Sequence, residues 1–220
     1  MPLLSPKDDY YYVISELKAL DRSKYIACLF VPRYFHVKIA SLLLIDLELK
    51  NISELNTENN ILLMKLSWWK NILNSLITDP APNVPVLRLL KGNITKKDKF
   101  LNKLLLLVNN YERLSLCRNK NDMEDSYLKC IVTRNDIIQE VLKLKVVDNK
   151  YKKAIHLASV ALSQIYVGKI EEGNKNTHKA KSICRRPVRK FLPLFMTLNA
   201  VKISNYMIFL RLARGLARYW

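Results

Sequence analysis

Three features predict an all-α chain: few glycines, apolar residues recurring at helical spacing, and short polar or proline-bearing breaks between those runs. Only Gly92, Gly168, Gly173 and Gly215 are available over 220 residues. Sheet folds need many tight turns with positive φ, which glycine supplies at least cost, so long helices joined by short loops are expected. Half of the residues are hydrophobic, enough to give residues 1–220 one packed core and a single helical domain.

The elements follow in order. Asp8 or Asp9 is placed to cap a first helix through Tyr12, Ile14, Leu17 and Leu20. Asp21 caps a second, residues 21–31, which Pro32 ends. From Arg33 to about Leu55 the chain is apolar nearly all round until Asp46, the pattern of a helix central to a bundle. The polar residues 56–60 break it, and Thr57-Glu58 open a helix to about Ile77 with Leu62, Leu66, Trp69, Leu73 and Leu76 in register. Pro80, Pro82 and Pro85 make residues 79–85 a loop. A short helix over 86–90 ends at Gly92-Asn93, and Thr95 opens one through Phe100, Leu104, Leu107, Val108, Tyr111 and Leu114. After a turn at Asn119–Asp122 the helical spacing runs to Val147. It resumes from Tyr151 to Val167, where Ala154, Ala158 and Ala161 permit a close helix approach. Gly168 and Gly173 bracket the next break, and Pro187 suits the start of a further helix. Roughly eight to ten helices and no strand are expected.

The net charge of +18 is concentrated at one end: between Gly173 and Trp220 there are eleven Lys or Arg and no Asp or Glu. An acid-free basic segment over 173–220 points to an anionic partner, whether a membrane surface, a diphosphate or nucleic acid. Arg185, Arg186, Arg189, Arg211, Arg214 and Arg218 are the candidate contacts, and the last three form one helical stripe suited to an anionic membrane. An AT-biased genome also enriches Lys, Asn and Ile, and accounts for part of the lysine excess. No aromatics are interleaved with the basic run, so nucleic acid ranks last. The N-terminus lacks a basic run before an apolar core, so no signal peptide is expected. Phe191–Leu210 is apolar, but Pro193, Asn199, Lys202, Ser204 and Asn205 would be costly at mid-bilayer, and a buried helix is the better reading.

Cys28, Cys117, Cys130 and Cys184 form no Cys-x-x-Cys pair, which favours buried free thiols in a reducing compartment over disulfides or zinc. His36, His156 and His178 are dispersed, and the phosphate-loop, nucleophile-elbow and zincin motifs are missing. The remaining acids of note are Asp46, Glu48 and Glu54 on the long apolar helix. Asp46 and Glu54 lie about two turns apart with Lys50 between them, a spacing that lets them share one face, and Glu48 points elsewhere. A Mg²⁺ site needs convergent carboxylates, usually completed by phosphate oxygens, and this pair alone does not provide one. No catalytic residue, metal ligand or cofactor is assigned.

Taken together, Asp21-Arg22 with Tyr25, CLFVP at 28–32, ASLLLIDLELKNISE at 40–54 and LSWWKNIL at 66–73 resemble the N-terminal half of the squalene/phytoene synthase family. Residues 155–165 fall where that family's second metal-binding helix belongs, and the segment from Lys179 to Met207 is similar to its closing helices. The resemblance implies an isoprenoid-synthase-type bundle around a central apolar cavity, with two aspartate-rich helices holding Mg²⁺ against prenyl diphosphates. The first aspartate motif would fall on Lys50, Asn51, Ile52, Ser53 and Glu54, of which only Glu54 is acidic. The second would fall in IYVGKIEEG at 165–173, offering Glu171 and Glu172 behind a glycine. Asp46, Lys50, Asn51, Glu54, Glu171 and Glu172 thus mark a vestigial metal and diphosphate region, with Tyr25, Trp68 and Trp69 as cavity or packing aromatics.

Such losses occur in a branch of the family that includes a mitochondrial complex I assembly factor and its α-proteobacterial relatives, and LSWWKNIL resembles that branch. The implied role is assembly or scaffolding of a membrane respiratory complex by a catalytically degenerate protein at the cytoplasmic face of the inner membrane. The alternative is a residual prenyl-diphosphate-binding protein or prenyltransferase, for which Mg²⁺ and an isoprenoid lipid would be the ligands.

Overall fold

The computed structural model describes residues 6–55, 59–94, 99–144 and 149–184. Among them are nine α-helices, one 3-10 turn and no strand. The helices are α1 (Pro6–Leu20), α2 (Arg22–Leu29), α3 (His36–Ser53), α4 (Asn59–Ser75) and α5 (Pro85–Lys91), followed by α6 (Phe100–Leu116), α7 (Lys120–Val141), α8 (Asn149–Tyr166) and α9 (Ile170–Ile183). The all-α expectation holds. The expected starts at Thr57-Glu58 and Thr95, the apolar stretch Phe191–Leu210, Pro187 and all six C-terminal arginines lie outside the described residues. No described helix is long and apolar enough to cross a membrane.

Helix α3 is the axis of the bundle, as its all-round apolar pattern predicts. Every residue from Ile39 to Leu47 is buried, Leu49 with them, and α1, α2, α4, α5, α6 and α7 all pack on it. Asp21 caps α2 as expected, its Oδ1 accepting from the backbone N–H of Ser23 at 2.9 Å and of Lys24 at 3.0 Å. Asp9 is not a cap. Helix α1 begins earlier, at Pro6, and the buried Asp9 carboxylate instead accepts from Arg88 Nε at 2.9 Å and Nη2 at 2.5 Å, tying α1 to α5.

Two ends differ from the expected ones. Helix α7 stops at Val141 rather than continuing to Val147, because Lys143 takes a left-handed φ of 52°. Its N–H donates to the Glu140 carbonyl at 3.0 Å, and that of Leu144 to the Gln139 carbonyl at 2.8 Å, a Schellman closure. Gly168, with φ of 88°, closes α8 in the same way through Ile165 and Gln164. Gly173 bounds no break. It is buried inside α9 where that helix crosses α8, beside the Ala161 carbonyl.

Of the adjacent tryptophans, Trp69 is in the core and Trp68 is 42% exposed, the two rings meeting edge-on at 5.3 Å. Tyr25 is half-buried against the same core. No disulfide joins any of the four cysteines among the described residues. Cys28, Cys130 and Cys184 are buried and Cys117 only half so, and burial pushes the Cys28 thiol up to about 12.

Candidate functional site

The most concentrated polar chemistry lies on α3, at Asp46. Its position on the innermost helix puts a carboxylate in the core with 1% exposure, which requires compensation from neighbouring helices. Helix α6 supplies Tyr111, whose hydroxyl donates to Asp46 Oδ1 at 2.8 Å. Helix α7 supplies Arg134, whose Nη1 donates to Oδ2 at 3.0 Å, and α2 supplies Lys24, with Nζ 3.1 Å from the same oxygen. Lys24 Nζ also lies 3.6 Å from Asp21, so the cap of α2 joins the cluster.

Burial alone would raise the Asp46 pKa. The Lys24 ammonium, the Arg134 guanidinium and the Tyr111 hydrogen bond outweigh it and hold the carboxyl at about 2. Burial in turn lowers Lys24 and drives Tyr111 well above its ordinary value. Asp46 therefore stays ionised with both oxygens engaged, and Tyr111 stays protonated as a donor. The arrangement locks four helices together and offers neither a free base nor a free metal ligand at Asp46. Arg134 Nε and Nη2 meet no acceptor among the described residues, so the guanidinium depends on Asp46 for its compensation.

At the C-terminal end of α3 the vestigial positions are spread over a surface. Lys50 Nζ lies 3.6 Å from Glu54 Oε1, both side chains part-exposed, and Asn51 is exposed. Lys50 also sits over the Tyr166 ring at 5.9 Å. Tyr166, at the end of α8, stacks on Tyr127 of α7 with centroids 3.9 Å apart and planes at 23°. Burial and the neighbouring Glu54 raise the Tyr166 hydroxyl to about 12, opposed by a hydrogen bond with Ser53. The ends of α3 and α8 thus do approach each other, and what meets there is two tyrosines, a lysine and one carboxylate. Glu171 and Glu172 are exposed in the first turn of α9, and beside them Lys169 bridges to Glu124 at 2.7 Å. No group of three or more His, Cys, Asp or Glu side chains among the described residues could hold a metal ion.

Asp46 and Glu54 do not act together, because Asp46 faces the core cations whereas Glu54 pairs along the helix with Lys50. Lys70 of α4 pairs with Glu112 of α6 at 2.5 Å. Lys24, Tyr111, Tyr127 and Arg134 went unnoticed in the sequence as members of a site. The one available signal was Asp46 itself, an aspartate inside an otherwise apolar helix, which demands cationic partners from elsewhere.

Glu48 is half-buried between α1 and α3. Burial and the Glu16 carboxylate raise it from 4.5 to about 7. The folded state therefore binds its proton more tightly than the unfolded chain. Its contribution to stability is fully present below pH 4.5 and declines as the pH rises through about 7. Glu48→Gln is expected to leave stability unchanged at pH 4 and to raise it at pH 8 by on the order of 1 kcal/mol after solvent screening. Urea unfolding at the two pH values checks this, and a gain at pH 4 would contradict it.

Fold and site together define an all-α bundle pinned at its centre by a buried, internally compensated ion cluster. No family model, curated protein or solved structure matches the chain.

Proposed function

We propose that the chain is a catalytically degenerate squalene/phytoene-synthase-like protein that serves as an assembly or scaffolding factor for a membrane respiratory complex of the complex I type. The observation that carries this reading is the Lys50–Glu54 pair against Tyr166, at the position where the resemblance puts the first aspartate motif. A cation there repels Mg²⁺ and occupies the one carboxylate left to bind it. The locked Asp46 adds to the case, since both oxygens of this core acid on the same helix are engaged by Tyr111, Arg134 and Lys24. A helical bundle whose described residues bring no set of carboxylates together for a metal suits a protein that acts through its surface. The basic segment 173–220, with its six arginines, supplies the charge for an anionic inner-membrane face.

The purified protein is expected to release no diphosphate from farnesyl or geranylgeranyl diphosphate with Mg²⁺, and Mg²⁺-dependent turnover would overturn the reading. Removal of the protein from its cell is expected to lower the amount of assembled respiratory complex on native gels, and unchanged levels would remove the assembly role. Saturable prenyl-diphosphate binding that weakens in Glu54→Ala would favour instead a residual isoprenoid-binding protein.

A further inference from the structure

Helix α4 is apolar on two opposite sides. Leu62, Leu66, Trp69 and Leu73 form its buried row. Met64 lies roughly 170° around the helix from the centre of that row at 3.6 residues per turn, and Trp68 and Ile61 fall on the same outer side. All three are exposed, Met64 by 65% and Trp68 by 42%. Single exposed apolar residues are ordinary, whereas three at i, i+3 and i+7 make a continuous ridge. The edge-on contact with Trp69, at 5.3 Å, braces the Trp68 ring at the surface. A surface helix needs one apolar stripe to face its core, so the second stripe of α4 calls for an occupant.

The charge around the ridge is positive. The other exposed residues of α4 include Asn60, Lys65, Ser67, Asn71 and Asn74, and the helix holds no acid. Helix α6, which packs on it, brings Lys103 and Arg113 with one acid, Glu112. Glu112 pairs with Lys70, and Glu140 of α7 with Lys103, while no carboxylate among the described residues pairs with Lys65 or Arg113. The adjoining residues 56–58 and 95–98 hold Glu58 and Asp98 but also Lys96 and Lys97, so they leave the balance unchanged.

This charge disfavours a second copy, which would set +18 against +18 with no acid on α4 to meet Lys65. It favours an anionic occupant. A partner helix would have to supply the groove for a ridge presented by one helix, whereas a lipid surface conforms to it. Tryptophan suits the boundary between headgroups and acyl chains, and the flanking Asn and Ser side chains can hydrogen-bond at headgroup level.

We propose that the outer face of α4 docks on an anionic lipid surface, with Ile61, Met64 and Trp68 entering the boundary between headgroups and chains. The contact is separate from the one in the proposed function, which uses the basic segment 173–220.

The test uses the full chain carrying Trp220→Phe, so that emission comes from Trp68 and the buried Trp69. Vesicles contain phosphatidylcholine and phosphatidylglycerol in equal parts, with or without bromine on the upper acyl chain. Binding is expected to shift the emission to the blue, and brominated lipid to quench it. With Trp68→Phe added, the quenching is expected to disappear. Met64→Ser is expected to weaken partitioning about fivefold or more through lost apolar burial, without lowering the melting temperature. Tyr11→Ser, equally exposed but on α1, which packs on α2, α3 and α5, is expected to leave partitioning unchanged. Vesicle-bound protein with Trp68 unquenched would overturn the proposal, because segment 173–220 would then be making the contact alone. Equal partitioning of Met64→Ser and its parent would overturn it too, as would failure to bind the vesicles. So would a lipid-free dimer that Met64→Ser dissociates, which would give the ridge to a second copy.

Discussion

Replacing Asp46 by asparagine is expected to destabilise the fold by about 3–5 kcal/mol, the usual cost of leaving a buried charge without its partner. The magnitude follows from what remains. Lys24 and Arg134 keep 7% and 4% side-chain exposure, and with the carboxylate gone they lie beside each other with only Asp21, among the described residues, left to offset them. Asparagine can still accept from Tyr111, so the loss isolates charge from hydrogen bonding. A triple variant, Asp46→Leu with Lys24→Met and Arg134→Met, removes charge and counter-charge together and is expected to recover most of the loss, because well-packed apolar replacements of buried ion pairs are often neutral or better. Urea unfolding at pH 7 followed by circular dichroism measures both. A single-variant loss below about 1 kcal/mol would mean that water reaches the cluster. The pH dependence is opposite in sign to that of Glu48. The Asp46 carboxyl is held below its ordinary 3.8, so its contribution is complete above that pH and is lost as the pH falls through about 2.

The contrast between Asp46 and the vestigial positions shows what the sequence could and could not convey. The central place of α3, the cap at Asp21 and the break at residues 79–85 were legible because each rests on local chemistry: periodicity, a short polar side chain before a helix, and prolines without N–H groups. The partners of Asp46 lie 22, 65 and 88 residues away by sequence number, on α2, α6 and α7. No local pattern marks Lys24, Tyr111 or Arg134 as core residues, since a lysine or arginine reads as surface until a buried acid claims it. The common face that spacing suggests for Asp46 and Glu54 does not bring them together, for a related reason. Helical spacing places two residues on one face, but the faces of so deeply buried a helix meet different neighbours along its length. The α7 end was misplaced because lysine at a left-handed position carries no sequence signature, whereas glycine at 168 does.

Gly173 is the second place where a large effect is expected, and its sign runs against helix propensity. Inside α9, replacing glycine by alanine would ordinarily gain about 1 kcal/mol. Here the added Cβ would come 2.5 Å from Ile165 Cγ1 and 2.8 Å from the Ala161 carbonyl oxygen. Ile165 Cγ1 can move only by a change of χ1 in a β-branched side chain that a helix restricts, and the carbonyl belongs to the backbone of α8 and moves only if the two helices separate. Overpacking of this kind costs about 1–3 kcal/mol, and separating α8 from α9 also gives up the close approach of Gly173 to the Ala161 backbone. A net loss of about 1–2 kcal/mol is expected for Gly173→Ala, growing for Gly173→Val. Gly168 provides the comparison, because nothing lies within 4 Å of the Cβ it would carry and its need is for a φ of 88° alone. Asparagine tolerates that conformation better than other side chains, so Gly168→Asn is expected to retain more stability than Gly168→Ala. Gly173→Asn, facing crowding rather than strain, should be worse than Gly173→Ala. Thermal unfolding of the four variants separates the two causes, and the same ranking at both sites would show that close approach is not what Gly173 provides.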